Sequence, residues 1–198
     1  ELVFKNFQNA TLIEADEKSF RTALYSNIRI PLNEKSIAGY CAFRNEIVNI
    51  EDVYNLPGYV PYSFNSRFDE GTMYTTKTVL TVPLHDRHKK VAGVLQIINK
   101  IGDDFLPIPF ESDDLSIVKF FAANASAAIE KARITRETIL RMIKMAELRD
   151  PMETGSHVNR VGAYSVEIYH NWARKKEIDE IEIKKYKDNL RIAAMLHD

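Results

Sequence analysis

Short apolar runs separated by polar turns fill the first hundred residues and predict β-strands. Residues 10–30 have the pattern of a hairpin, and residues 47–50 predict another short strand. Residues 36–42 are apolar with an internal glycine, which predicts a helical turn. Residues 78–84 and 91–99 are apolar and β-branched, and the segment between them is short and charged. These two runs therefore predict an antiparallel hairpin at the centre of a sheet.

Prolines and glycines mark residues 55–72 as a loop, but four aromatic residues interrupt it. In one interpretation, an aromatic loop beside a sheet is a lid. In the alternative, the rings pin the loop to the core, because aromatic side chains dominate core burial. The pattern leaves both interpretations open. The four aromatic residues are Tyr59, Tyr62, Phe64 and Phe68.

A long helix is predicted over residues 112–149, because neither proline nor glycine occurs there. Ser112 is its predicted N-cap, and Asp113 and Asp114 lie in the first turn, where the helix dipole favours anions. Apolar residues recur at heptad spacing along the helix, interrupted by Arg136. The first half can pack on the sheet, and we expect the second half to form a parallel coiled coil with a second copy. Packing within the same chain is the alternative. The predicted seam comprises Leu115, Val118, Ala122, Ala125, Ile129, Ala132, Ile139, Ile143 and Ala146.

Two further apolar segments follow Pro151, which is expected to end the long helix. A second helix is predicted from Ser156, and residues 190–198 predict an apolar helix that ends in His197 and Asp198. Because the chain stops within this predicted helix, we expect it to be a fragment of a longer protein. The predicted apolar face of the second helix comprises His157, Val161, Tyr164, Ile168 and Trp172.

Composition excludes several classes of protein. The 198 residues include 27 Lys+Arg and 28 Asp+Glu, so no global electrostatic field favours nucleic acid or an anionic membrane. The single cysteine, Cys41, excludes an internal disulfide framework and a Cys-rich zinc site. No apolar run is long enough to span a membrane, and the N-terminus lacks a signal-peptide pattern. A cytoplasmic protein is the expectation.

The terminal His197-Asp198 pair suggests a metal site. An ionised carboxylate at the end of an apolar helix needs a cation, and imidazole and carboxylate together suit Mn, Fe or Zn. Residues 84–86 are the same Leu-His-Asp tripeptide in a charged hairpin, where it needs no function, so context has to decide. His157 and Glu153, four residues apart, supply further ligands. The alternative is a core histidine with an ordinary partner and an exposed chain end.

Two segments carry a family resemblance. Residues 149–161 (RDPMETGSHVNRV) and 190–198 (LRIAAMLHD) resemble the opening of an HD-GYP domain, a member of the HD superfamily of metal-dependent phosphohydrolases. Members of the family hydrolyse the bacterial second messenger cyclic di-GMP. The resemblance implies catalytic roles for His197 and Asp198, and we expect Arg160 to hold a phosphate, because guanidinium pairs bidentately with its oxygens. The implied ligands of a divalent metal, Fe or Mn, are Glu153, His157, His197 and Asp198, with Asp198 bridging.

The first 130 residues resemble a GAF domain, an antiparallel sheet flanked by helices that senses small ligands. Residues 36–40, 48–54, 68–83 and 91–100 carry this resemblance, which is greatest to the GAF domains of cyclic-nucleotide phosphodiesterases and cyclases. It implies a ligand pocket between the sheet and the loop of residues 55–76. The implied pocket residues are Phe64, Asn65, Asp69, Thr75 and Thr76.

The same GAF domains carry an Asn-Lys…Phe…Asp-Glu signature. Asn99, Lys100, Phe110 and Asp114 match it, and Leu115 stands where the signature has glutamate. We expect the pair of Lys100 and Asp114 to be a structural tie, which by itself does not indicate nucleotide binding.

Together these observations predict an α+β chain with a GAF sensor domain at residues 1–131, a long helix at 112–149, and the truncated start of an HD domain at 150–198. The expected function is the sensory part of a bacterial metal-dependent phosphodiesterase that hydrolyses cyclic di-GMP, with the 198-residue chain itself inactive. The expected partners are a second copy through helix 112–149 and a small molecule, a cyclic nucleotide being one option. A non-catalytic binding or dimerisation module, or an HD phosphohydrolase of other nucleotides, is the alternative.

Overall fold

The computed structural model describes residues 1–3, 28–70, 74–149 and 154–196. The predicted hairpin of residues 10–30 lies almost entirely outside these ranges. The chain divides into two compact units, Glu1–Glu130 and Lys131–Asp198.

The first unit contains a three-stranded antiparallel sheet in the order β3-β4-β5. Strand β3 is Val48–Ile50, β4 is Val79–His85 and β5 is Val91–Ile98. These strands confirm the predicted strand and the predicted hairpin, whose register places Val82 opposite Leu95. Two short antiparallel pairs accompany the sheet. They are β1 (Leu2–Val3) with β2 (Arg29–Ile30), and β6 (Lys100–Ile101) with β7 (Pro107–Ile108).

Strand β4 is buried on both faces, which explains why its sequence is mostly apolar rather than alternating between apolar and polar residues. Successive side chains of a strand point to opposite faces. Val79 therefore packs with Cys41 in one core cluster, whereas Leu80 and Val82 pack with Phe110 in a second cluster on the other face. The sheet thus separates two apolar layers.

Helix α1 (Ile37–Arg44) covers the first of these layers. Ser36 caps it by accepting a hydrogen bond from the Gly39 N–H at 3.1 Å, and Asn45 ends it with a left-handed φ of 58°. The sequence predicted only a turn here, but the caps at both ends sustain eight residues of helix.

Helix α3 (Ser112–Arg149) is the predicted long helix, and a short helix α2 (Arg67–Glu70) precedes it in the loop between β3 and β4. Val118 and Ala122 of α3 are buried in the second core layer, with Leu115 and Ala125 packed beside them. Ser112 is not the cap that the sequence suggested, since it is the first helical residue. The Asp114 carboxylate instead accepts the Glu111 N–H at 2.7 Å.

The second unit continues from α3 into helices α4 (Thr154–Lys175) and α5 (Glu180–Ala194), which pack against each other. Val158, Ala173 and Ile183 are buried there. The apolar face that the sequence predicted for α4 is not the face that packs here, since Ile168 is 69% exposed and Tyr164 is 62% exposed. The packed face instead contains Gly162, where a Cβ would lie 2.8 Å from Met195 Cγ and 3.5 Å from the Cγ of Arg191 in α5.

Helix α5 ends at Ala194, three residues before the histidine that the sequence placed within it. Met195 and Leu196 form a turn. None of the helices in the described ranges is long and apolar enough to cross a membrane.

Candidate functional site

The loop between β3 and β4 is organised around the Asp69 carboxylate. Its Oδ2 accepts hydrogen bonds from the Thr76 N–H and the Tyr54 hydroxyl, both at 2.7 Å, and its Oδ1 accepts one from the Thr76 hydroxyl at 2.8 Å. The Phe64 ring packs edge-on against Tyr54 with centroids 5.3 Å apart. Three of the predicted pocket residues, Phe64, Asp69 and Thr76, are therefore brought together.

The other two predicted pocket residues serve the backbone around this cluster. Asn65 Oδ1 accepts the Arg67 N–H at 3.2 Å, at the start of helix α2. The Thr75 carbonyl accepts a hydrogen bond from Asn99 Nδ2 at 2.8 Å. Both residues therefore hold the loop in place.

Tyr54 is the member of this cluster that the sequence analysis did not single out. The hydrogen bond to the Asp69 carboxylate raises the pKa of Tyr54 to about 12, because the neutral hydroxyl is the donor. Its ring is 55% exposed, so the cluster can be reached from solvent. The only signal in the sequence was its place in the run of residues 48–54 that resembles a GAF domain.

The aromatic residues of the loop act mainly as anchors. Tyr62 and Phe64 pack against the first core layer, and the Tyr62 ring lies 5.0 Å from that of Tyr40. Tyr59, by contrast, is 86% exposed. The pinning interpretation is thus confirmed for Tyr62 and Phe64, whereas the side chain of Phe68 is outside the described part.

The four signature residues form ties at one end of the sheet. Asn99 Oδ1 accepts the N–H groups of Lys77 and Thr78 at 2.7 and 3.2 Å. Lys100 Nζ lies 2.6 Å from Asp114 Oδ2, and Phe110 is buried in the second layer. This geometry matches the structural tie expected for Lys100 and Asp114.

The pair also shifts both ionisation equilibria. The hydrogen bond between the two side chains raises the pKa of Lys100 and lowers the pKa of Asp114. Each charge therefore stabilises the other at neutral pH.

Of the predicted metal ligands, only His157 lies in the described part. Its side chain is exposed in the first turns of α4, and Arg160 is exposed one turn later. Glu153, His197 and Asp198 lie outside the described residues. Within the described ranges, no three His, Cys, Asp or Glu side chains are grouped to hold a metal ion. The metal site and the catalytic roles stay predictions.

Comparison with known proteins gives two curated relatives among others. The chain is 32% identical over 100 residues to "Dual 3',5'-cyclic-AMP and -GMP phosphodiesterase 11A" of Takifugu rubripes, a match that covers 50% of this chain and 10% of that protein. It is 30% identical over 161 residues to "Probable 3',5'-cyclic phosphodiesterase pde-5" of Caenorhabditis elegans, covering 81% and 18%. The chain thus spans less than a fifth of the length of these relatives.

Solved structures with similarity to the chain include the GAF domain of an Acinetobacter phosphoenolpyruvate-protein phosphotransferase, with 22% identity, a TM-score of 0.41 and coverage of 57% of both chains. A structure described as that of the GAF domain has 21% identity, a TM-score of 0.35 and coverage of 47% and 44%. A type II free methionine-R-sulfoxide reductase from Thermoplasma acidophilum has 19% identity, a TM-score of 0.37 and coverage of 53% and 62%.

The model of the family described as "GAF domain" matches residues 6–129, well over half of the 198 residues. The matched segment ends within helix α3 and includes both core layers, the Asp69 cluster and the signature ties. The chain therefore belongs to the GAF domain family.

Proposed function

We propose that this chain is the sensory part of a signalling phosphodiesterase, in which the GAF unit binds a small molecule and the second unit begins a metal-dependent phosphohydrolase domain. The observation that carries the proposal is the continuity of helix α3. Its residue Val118 is buried in the GAF core, and its residue Ile143 is buried beyond Lys131, where the second unit begins. A single helix that belongs to both units is suited to transmit a change from one to the other.

The ligand that suits the Asp69 cluster carries N–H donors next to a flat ring. Asp69 is a carboxylate acceptor, and the Tyr54 and Phe64 rings beside it offer apolar faces. A purine base has both properties, and the names of the two relatives refer to cyclic nucleotides. We infer that a cyclic nucleotide binds here and displaces the Tyr54 hydroxyl from Asp69.

Calorimetric titration of the 198-residue chain with cyclic AMP, cyclic GMP and cyclic di-GMP tests this inference. We expect one of them to bind, and we expect Asp69→Asn to weaken binding by at least about tenfold, as for loss of a charge-assisted hydrogen bond. Glu70→Gln is the matched control, because Glu70 is the next residue of α2 and its carboxylate bonds Ser66 instead. Equal binding by the Asp69 and Glu70 variants would contradict the site.

The metal-dependent chemistry is proposed for the second unit. Two imidazoles and two carboxylates form a donor set that suits Fe or Mn, and the exposed His157 side chain is accessible for such a role. The ligands would be Glu153, His157, His197 and Asp198. When bound, the metal supplies a hydroxide nucleophile and stabilises charge on the phosphoryl oxygens. Arg160, one turn after His157, would orient the phosphate through its guanidinium.

The substrate of the parent enzyme is a cyclic nucleotide of one of two kinds. The resemblance of residues 149–161 and 190–198 to HD-GYP domains favours cyclic di-GMP. The names of the relatives favour 3',5'-cyclic mononucleotides. Both are phosphodiesters, so the same type of metal chemistry serves either.

The test uses the full-length parent loaded with Mn(II) or Fe(II) and follows both kinds of substrate by chromatography. We expect metal-dependent loss of one substrate, and we expect Asp198→Ala to abolish it. Asp188→Ala is the control, since Asp188 lies in α5 with its side chain 72% exposed and pairs with Arg136. Metal-loaded protein that hydrolyses neither would contradict the assignment, and protein that binds no metal would favour a non-catalytic module.

We also propose that a second copy of the chain packs on α3, on a face different from the predicted seam. In the GAF unit, the seam residues Leu115, Val118, Ala122 and Ala125 already pack in the second core layer. The solvent-exposed part of a surface helix is normally polar or charged, yet Ile117, Phe120 and Phe121 are 57%, 66% and 60% exposed. The exposed residues that continue this face at heptad spacing are Asn124, Ala128, Lys131, Thr135, Thr138, Met142 and Met145.

Two features of this face favour a second copy in parallel register. Ala128 is small enough to let two helices approach closely. Asn124 occupies a heptad position of the newly proposed face, and a polar residue at such a position specifies the register of a parallel pair. By contrast, Ile143 of the predicted seam is 4% exposed with one chain present, as the alternative of packing within the chain requires.

Sedimentation equilibrium of two variants distinguishes the two faces. We expect Phe121→Glu to convert a dimer to a monomer, because it places a charge within the proposed apolar interface. We expect Ile129→Glu, which alters an exposed position of the predicted seam, to leave the dimer intact. If Ile129→Glu dissociated the dimer and Phe121→Glu did not, the interface would be the predicted seam. A parent chain that is monomeric at micromolar concentration would exclude both faces.

A further inference from the structure

The Leu-His-Asp tripeptide of residues 84–86, to which the sequence assigned no function, lies at the end of strand β4. His85 is half-buried there. Its ring Nε2 lies 2.6 Å from Asn45 Oδ1, and because an amide oxygen only accepts, the ring nitrogen is the donor. Its backbone N–H donates to Ser126 Oγ at 3.1 Å.

These two contacts join elements from opposite faces of the sheet. Asn45 is the C-cap of helix α1, which covers the first core layer. Ser126 lies on helix α3, which covers the second layer. His85 therefore contacts the end of one helix through its ring and a turn of the other through its backbone.

A second contact holds the same turn of α3. Arg87 Nε lies 3.6 Å from Glu130 Oε1, whose side chain is only 14% exposed. Asn45, His85, Ser126 and Glu130 line one cleft of about 610 Å³. Glu130 is also the last residue of the GAF unit. The hairpin end thus holds α3 at the point where the helix leaves that unit.

We propose that His85 is a positioning residue that couples the end of helix α1 to helix α3. A change that moves Asn45 alters the hydrogen bond to the His85 ring, shifts the hairpin end, and loosens the turn of α3 at Ser126. The coupling itself needs no ligand. Its use in signalling rests on the proposed function, because α1 and the Asp69 loop both pack on the first core layer.

Hydrogen exchange of the 198-residue chain without any ligand tests the coupling. Asn45→Gly removes the amide oxygen, and glycine readily adopts the φ of 58°. We expect exchange of the amides at residues 126–130 to rise about fivefold, the effect of losing one hydrogen bond. Lys89→Gly is the matched control, because Lys89 has a φ of 59° in the same hairpin. It should leave residues 126–130 unchanged.

Two further variants separate coupling from loss of stability. Asn45→Asp keeps an oxygen acceptor and should restore slow exchange at residues 126–130. Coupling is reciprocal, so Ser126→Ala should accelerate exchange at residues 42–46.

The proposal would be overturned if Asn45→Gly accelerated amide exchange only at residues 42–46. It would also be overturned if the variant accelerated exchange uniformly, including the amides of β4. Because no ligand enters the experiment, failure of the proposed ligand site leaves its outcome unaffected.

Discussion

Asp69 is the side chain on which the loop between β3 and β4 depends most. It accepts two hydrogen bonds from Thr76 and one from Tyr54. Leaving these donors unpaired is costlier than the net gain from forming the bonds, so the carboxylate fixes the loop even when no ligand is present. A ligand for this site therefore has to exchange with contacts that already exist.

The hydrogen bond from Tyr54 to Asp69 makes the stability of this cluster depend on pH in the alkaline range. The pKa of Tyr54 is raised to about 12 in the folded chain, above the ordinary value of 10.0. The contribution of the Tyr54 hydrogen bond to the free energy of unfolding is therefore complete below pH 10 and is lost as pH rises through about 12. We expect the stability difference between the parent chain and Tyr54→Phe to shrink over this interval in chemical denaturation. A difference that stays constant would show that the hydrogen bond to Asp69 is absent.

Gly39 is required by close approach rather than by backbone conformation. A Cβ there would lie 2.6 Å from Ser36 Oγ and 2.7 Å from the Pro31 carbonyl oxygen, and the backbone atom cannot rotate away. We expect Gly39→Ala to lower the free energy of unfolding by about 1–3 kcal/mol, as for overpacking. Gly58→Ala is the control, since its Cβ would meet nothing within 4 Å.

Cys41 provides the measurement for this prediction. It is fully buried in the first core layer, and burial raises the pKa of its thiol to about 12, so labelling requires opening of the core. Gly39→Ala should accelerate thiol labelling, whereas Gly58→Ala should not. Equal labelling rates in the two variants would contradict the prediction, because the atoms around Gly39 would then have moved to accommodate the added Cβ.

Helix α3 is anchored to the sheet at its first turn by the pair of Lys100 and Asp114. Asp114 also accepts the Glu111 N–H, so one carboxylate both caps the helix and pairs with a lysine. The sequence signature identified these residues and their structural purpose. It did not identify Asp114 as the acceptor for the Glu111 N–H, because Ser112 is also a favoured N-cap residue type.

Acid should weaken this anchor. The pKa of Asp114 is lowered below its ordinary value of 3.8, so the stabilisation it contributes is present above that value and is lost as pH falls through its folded pKa. We expect Asp114→Asn to be less stable than the parent at pH 7, with the difference shrinking below pH 4, as followed by circular dichroism. Asp113→Asn, one residue earlier, is the matched control, because the pair with Lys100 is formed by Asp114.

The chain as a whole offers one spectroscopic reporter for each unit. Cys41 lies in the first unit, and Trp172, the one tryptophan, lies in the second. We expect Gly39→Ala to shift the denaturation midpoint measured by thiol labelling while leaving that measured by tryptophan fluorescence in place. Coincident shifts by both probes would show that the two units unfold as one.

Local pattern in the sequence was enough for the central hairpin and the extent of α3, whereas the GAF assignment came from the resemblance to a known family. Strand and helix periodicity, β-branched residues and the absence of proline act over a few residues, so the sequence displays them directly. The signature of Asn99, Lys100, Phe110 and Asp114 likewise predicted a tie that the structure contains. Phe64, Asp69 and Thr76 of the Asp69 cluster were also predicted, although as ligand contacts rather than as partners of one another, and Tyr54 was not.

Only the tertiary structure decided which surfaces are covered. Periodicity gives a helix an apolar face but does not say what packs on it. The sequence therefore could not tell that Tyr164 and Ile168 of α4, or Phe120 and Phe121 of α3, are exposed. It also could not pair Asn45 with His85, or Tyr54 with Asp69, because those contacts join residues 40 and 15 positions apart. Such contacts form only when the chain has folded, and they define both the candidate ligand site and the proposed coupling to α3.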